Sequence, residues 1–425
     1  MSNNAAIELQ PSTTQSMPAA GPTRWIQLAL GLLCMMAISS PQYVWTLFTK
    51  PLMGKLGVTL AQLQVTFSLL IVLQTFLSPL QGFLIERFGP KRLLAIGAVL
   101  TGASWILAAN AQSVPGLYLT YGLLGGIGTG IIYIGVVGLM VKWFPDRRGL
   151  ATGVVAAGYG MGAMLTTFPI SSSLASAGFE RTLVAYGVLF GFVALLSALV
   201  LKKPPDALQQ ATARASVEAH DVPPLQMLRT PVFWLMFVMM TMMSTSGLMV
   251  ISQMATFARD FGVAQVTVWG LAALPLALTL DRLTNGLTRP FFGWLSDRIG
   301  REHTMTIAFT LEGLAMTAWL LTRDNAVLFV LLSGLVFFGW GEIFSLFPST
   351  LTDTFGTRHA TTNYGFLYMA QGVGSILGGP LAALLYQNTG TWSAVFAVVI
   401  AMNFATAALA LLVLKPARYR YLSRT

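Results

Sequence analysis

Along this chain, apolar runs of about 20 residues alternate with short polar breaks, and that is the length a helix needs to cross a bilayer. The runs fall at 25–48, 64–85, 93–111, 116–141, 149–173, 182–201, 231–257, 266–295, 304–321, 326–349, 361–386 and 391–414. Inside lipid, backbone amides and carbonyls find no water, so a crossing segment must be a helix or part of a closed barrel. A barrel strand crosses in about 9–11 residues, half the length seen here. The pattern therefore predicts an all-α polytopic membrane protein with twelve transmembrane helices. Composition agrees: 9% of the 425 residues are charged, against about 25% in soluble domains.

Topology accounts for most of those charges. Twelve spans put both termini on one face, and about 18 of the Lys and Arg residues fall there, against about 5 on the other. Both termini are therefore expected in the cytoplasm. The net charge of +10 is spread through short loops and builds no basic, aromatic-rich soluble module, so the expected partner is the lipid bilayer and not nucleic acid. Residues 1–24 read as a disordered polar tail without a cationic start. The first run is too long for a signal-peptide core and reads as an uncleaved span. Residues 25–201 and 231–414 form two six-helix bundles, 202–230 a central cytoplasmic loop, and 415–425 a basic cytoplasmic tail. Cys34 is the only cysteine, so no intrachain disulfide forms, and no metal or cofactor is expected.

The two halves repeat one another. PLQGFLIERFGPKR, from Pro79, and PFFGWLSDRIGREH, from Pro290, align at an offset of 211 and pair Gly82 with Gly293, Glu86 with Asp297, Arg87 with Arg298 and Gly89 with Gly300. A second echo, at offset 212, pairs Gly153, Gly160 and Gly162 with Gly365, Gly372 and Gly374. Related halves of this kind suit a rocking transporter with its site at the midplane between them. The G-x-L-x-[DE]-R-x-G pattern after spans two and eight resembles the signature of the major facilitator superfamily. The resemblance runs from about residue 25 to 414 and implies two pseudo-symmetric six-helix bundles, the major facilitator fold, functioning as a monomer. It also implies that Gly82, Glu86, Arg87, Gly293, Asp297 and Arg298 form a cytoplasmic latch. Plain topology-setting charge is the other reading of these residues.

Span eight carries charge inside the membrane: Asp281, Arg282 and Arg289. At about 100° per residue, Arg282, Asn285 and Arg289 share one stripe. An ionised residue at mid-bilayer costs roughly 2.5–3.5 kcal/mol on insertion scales, so it normally faces a cavity or a partner. One reading is an anion site, since the planar guanidinium forks a carboxylate with two parallel hydrogen bonds. The other is a structural network in which Asp281 and Glu342 neutralise the arginines. Pro290 frees the Gly286 carbonyl and favours a kink. Gln42, Tyr43 and Trp45 on span one, Tyr133 on span four, Tyr159 on span five, Trp340 and Phe344 on span ten, and Tyr368 and Gln371 on span eleven lie where such a site would need them. Each aromatic alone also fits a packing or interface role.

Together, PQYVWTLF, KWFPDRRGLATGVVAAGYGMG, TRPFFGW, FPST and NYGFLYMAQGVGSILGG resemble segments of the bacterial oxalate:formate antiporter family, related to monocarboxylate transporters. That resemblance implies a secondary carrier of small mono- or dicarboxylates in the bacterial inner membrane, working by alternating access. In that family an arginine on span eight and a lysine on span eleven hold the anion in an aromatic cage. Arg289 matches the arginine, and Tyr43, Tyr133, Tyr159 and Trp340 match cage aromatics. Phe344 replaces a Tyr, Tyr368 a Trp, and Gln371 the lysine. Losing the lysine removes one of two neutralising charges. With Arg282 and Arg289 set against Asp281 and Glu342, the centre is neutral, which favours a monocarboxylate, or a dicarboxylate carrying a proton.

Other signals are weaker. Gly122, Gly126 and Gly130 on span four read as close-packing positions. Glu312 is an intramembrane acid without an evident partner. His220, His303 and His359 all fall in loops, so proton coupling would have to use Asp281, Glu312 or Glu342. No catalytic constellation points to an enzyme. A transport-derived sensor would need an output domain, for which 202–230 is too short.

Overall fold

The computed structural model describes residues 22–205 and 221–424. The tail expected over 1–24 lies almost entirely outside the described residues, as do His220 and the middle of the central loop.

Among the described residues, twelve helical spans follow one another. Span one is Pro22–Ala37, Ser40–Tyr43 and Trp45–Leu56, interrupted beside Pro41, which has no amide to donate. Span two is Leu60–Phe76 and Ser78–Phe88, bent by 51° just ahead of Pro79. Spans three to six are Pro90–Ala109, Val114–Trp143 with a π-helical turn at Tyr118–Leu124, Arg148–Ala177 and Phe179–Val200. After the short helix Pro224–Met227 come span seven, Pro231–Asp260, span eight, Ala273–Ile299, and span nine, Arg301–Leu321. Span ten is Ala326–Trp340 and Ile343–Phe355, broken at Gly341–Glu342, and span eleven is Ala360–Thr389. Span twelve starts as Trp392–Ala408 and runs on through a π-helical turn into Lys415–Leu422, so the basic tail is helical. Ten of these helices are long and apolar enough to cross a membrane, and the bent pair of span two makes eleven. Span eight is the twelfth, set apart by Asp281, Arg282, Arg289, Asp297 and Arg298.

The run expected to be helical over 266–295 departs from that reading. Thr267–Val268 and Leu271–Ala272 pair as a small antiparallel hairpin, turned through Trp269 and Gly270 at φ of 50° and 84°. A right-handed helix cannot continue through two left-handed residues, so span eight begins only at Ala273.

Apolar side chains lie on the outside as well as within: Phe192, Trp234, Leu331 and Leu412 are exposed, as lipid contact requires. Small residues bring helices together, and Gly122, Gly126 and Gly130 face span two through Leu69, Leu70 and Gln81. The loop glycines that repeat in sequence, Gly89 and Gly300, end spans two and eight at φ of 92° and 93°. Only glycine adopts that geometry without strain.

Candidate substrate site

The site is built where span eight crosses span five. Gly153 presents bare backbone to Arg289 and Pro290, so tightly that a Cβ would overlap the Arg289 carbonyl. Two turns on, Gly160 lies beneath the guanidinium, with Arg289 Cζ 3.1 Å from where a Cβ would stand. Arg289 is 1% exposed. Its Nη1 donates to the Ala156 carbonyl at 2.6 Å and its Nη2 to Asn285 Oδ1 at 2.8 Å. The Phe344 ring lies 4.6 Å from Cζ, within cation–π range. Among the described residues, the Nε–H has no acceptor and no carboxylate forms an ion pair with Arg289. A buried cation held only by neutral acceptors and a ring retains a strong demand for an anion.

Aromatic and amide side chains from both halves surround it. Tyr133 stacks on Tyr368 at 4.6 Å and meets Tyr159 edge-on at 5.2 Å. Tyr159 in turn meets Tyr43 at 5.8 Å, and Tyr368 packs near Tyr364 at 5.7 Å. The Tyr159 hydroxyl donates to Gln42 Oε1. Gln74 Nε2 donates to the hydroxyls of Tyr159, at 3.0 Å, and Tyr368, at 3.4 Å, bridging the halves. Trp340 lies edge-on to Phe344 at 6.1 Å, its indole N–H donating to the Met243 carbonyl of span seven at 2.8 Å. Gln371 is nearly buried, and its Oε1 has no donor.

Gln74 was not singled out by sequence reasoning. It stands 211 residues before Asn285, so the repeat that aligns the loops also pairs the two amides at the site. Arg282 departs from the expected stripe: its side chain is exposed while Arg289 is buried. The arginine–acid network is also absent, since Asp281 and Glu342 are buried with neither oxygen of either carboxylate accepting a hydrogen bond. Glu312 has partners that the sequence did not indicate, Ser246 on span seven and Asn403 on span twelve.

Toward the face that carries the termini, the halves close on one another. Glu86 accepts from the Thr361 and Thr362 amides that open span eleven, at 2.9 and 3.3 Å. Asp297 accepts from the Gly149 and Leu150 amides that open span five, at 3.0 and 2.8 Å. Each acid thus sits at a helix N-terminus of the opposite half, where free N–H groups favour negative charge. Gly82 and Gly293 let these contacts form, lying against Thr361–Thr362 and Gly149–Leu150. Arg87 and Arg298, expected in the same latch, turn outward onto Phe88 and Trp294 of their own helices. An ion pair, Arg148–Asp353 at 2.6 Å, also crosses between the halves, with Arg301 joining Asp353 to Asp297. Among the described residues, every hydrogen bond between the halves lies at the midplane or on this face. This arrangement holds the two halves together on the face that carries the termini.

A family model described as Major Facilitator Superfamily matches residues 28–280 and 238–424. The chain is 35% identical over 405 residues to the oxalate:formate antiporter of Oxalobacter formigenes, covering 95% of this chain and 94% of that protein. It is 31% identical over 359 residues to the uncharacterized MFS-type transporter YhjX of Escherichia coli (strain K12), covering 83% and 86%. In fold it is similar to the proton:xylose symporter XylE, with a TM-score of 0.67 over 91% of this chain and 94% of that one, at 15% identity.

Proposed function

The chain belongs to the major facilitator superfamily of secondary transporters, and on that premise we propose that it carries small carboxylate anions by alternating access. The carrying observation is Arg289, a guanidinium buried at the junction of the halves, in direct contact with no carboxylate among the described residues and lined by aromatics from both. Its planar fork suits a carboxylate, and each half contributes side chains to the aromatic cluster, so anion binding and rocking engage the same contacts. The protein at 35% identity is named for oxalate and formate exchange, which supports the same substrate class.

Within that class the preferred cargo is a monoanion. Gln371 supplies an amide, and Arg282 is exposed, leaving Arg289 as the cation at the aromatic cluster. One buried charge matches one carboxylate. A second carboxylate on the same substrate would be desolvated without a partner, which costs several kcal/mol, of order 3–5. The carrier acts as a monomer in the bacterial inner membrane with both termini in the cytoplasm, and its termini-side contacts are the latch of the outward-facing state.

Uptake into proteoliposomes of labelled formate, acetate, lactate, oxalate and succinate tests this. Saturable uptake of a monocarboxylate, lost in Arg289→Ala, is expected. No carboxylate flux in any exchange or gradient format would end the proposal.

A further inference from the structure

Span ten breaks between Trp340 and Ile343, and Glu342 sits in the break. Its neighbours on either side belong to the site: Trp340 and Phe344 line the aromatic cluster, and Phe344 lies under Arg289. Gly341 packs on Asn285, with a Cβ there only 3.1 Å from Asn285 Nδ2, and Asn285 is the residue that holds Arg289. Glu342 is 0% exposed, and neither carboxylate oxygen receives a hydrogen bond from the described residues. The charged groups acting on it are Glu312 from span nine and Arg289 from span eight. Glu312 is also 0% exposed. Only its Oε1 is served, by Asn403 Nδ2 at 3.3 Å and Ser246 Oγ at 3.5 Å. Its Oε2 and the buried Asn403 Oδ1 have no partner. Asp281 stands apart, beside Ser333 and Arg282.

We propose that Glu342 is a proton-binding site, loaded and emptied together with the anion at Arg289, so that this carrier moves one proton with each monocarboxylate. The inference rests on the carboxylate reading above. Its basis is charge balance in a closed, water-poor state, where net charge is expensive to carry. Empty, Arg289 is balanced by an ionised Glu342. With a monoanion on Arg289, an ionised Glu342 is left over, and a proton on one of its oxygens restores neutrality. Both neutral states can reorient: the empty carrier, and the carrier holding anion plus proton. The anion without its proton, or the proton without its anion, leaves one unit of charge in the core.

The test uses the purified full chain in vesicles clamped at zero membrane potential, with formate and lactate as probes and protein-free vesicles subtracted. With no internal carboxylate and a one-unit inward proton gradient, coupled uptake approaches about tenfold accumulation, and an internal pH dye records acidification in step with the anion. In Glu342→Gln, gradient-driven net uptake falls at least tenfold, and what remains is exchange whose rate no longer follows external pH. Glu342→Asp restores gradient-driven uptake. Robust wild-type exchange with no response to the gradient would overturn the inference while leaving the carboxylate carrier standing, and so would full coupling in Glu342→Gln. Loss of both exchange and uptake for every carboxylate in the wild type would remove the underlying reading as well. If the glutamine variant does not fold, Glu342→Asp carries the test: the pH dependence of its net uptake should shift from that of the wild type, and an unchanged profile would overturn the assignment to Glu342.

Discussion

Where span eight crosses span five, Arg289 and Pro290 lie on Gly153; where span two crosses span eleven, Ser78 and Pro79 lie on Gly365. The two crossings are the same construction, 211 residues apart on one strand of the comparison and 212 on the other. Their chemistry differs first at the residue ahead of the proline. Ser78 Oγ donates to the Gly365 carbonyl at 2.8 Å, and that crossing is complete. Arg289 reaches past the equivalent backbone to Ala156 and keeps an unmatched Nε–H. The amides one turn earlier diverge likewise, Gln74 binding two tyrosines and Asn285 holding the guanidinium. Residues that repeat build the frame on which the halves meet. The residue that breaks the repeat is the cation of the proposed site.

The largest effect expected from disturbing this asymmetry is at Arg289. Arg289→Lys keeps the charge but loses the fork and the flat stack on Phe344, and transport should fall at least a hundredfold while the protein still inserts and purifies as a monodisperse species. Wild-type kinetics in that variant would mean the two crossings do not differ in function. Gln371→Lys sharpens the comparison by adding a second cation. A charge-assisted hydrogen bond contributes about 1.5–3 kcal/mol, so the oxalate-to-formate preference, measured by competition for labelled formate, should rise roughly ten- to a hundredfold. A preference that moves toward formate would count against the single-cation reading.

Gly153→Ala and Gly365→Ala probe the shared frame instead. Each places a methyl group against opposing backbone, and overpacking of this kind costs about 1–3 kcal/mol. Both should slow transport several-fold and open the termini face to a membrane-impermeant thiol reagent at an introduced cysteine; an effect in one alone would show that the crossings are not equivalent. The smallest changes are expected from Asp297→Asn and Glu86→Gln. Each weakens an acid seated on a helix N-terminus, a contribution of about 0.5–2 kcal/mol. Their thiol accessibilities should rise by similar amounts, within a factor of about three of each other.

Much of this was legible in the linear order of residues. Segment length and the lipid's demand for satisfied backbone groups dictate helices, and the loop glycines at 89 and 300 mark where two of them must end. Arg289 was findable because a buried charge in an apolar run needs a reason. Arg282 misled for the same cause: helical angle places it on the stripe, but where along the span the neighbouring half ends decides whether it is covered. Gln74 was missed because a glutamine in an apolar span has many uses, and only its contacts with Tyr159 and Tyr368 single it out.

Sequence by itself therefore determined the all-helical architecture, the duplication and the presence of charge within span eight, because length, periodicity and charge act locally. Which side chains Arg289 meets, and which acids are left without partners, depended on how two halves of the chain cross. Gly153 and Gly160 admit the guanidinium to span five, and the break at Gly341 seats Glu342 between Trp340 and Phe344. Residues more than a hundred positions apart share that space, and only the packed structure brings them together.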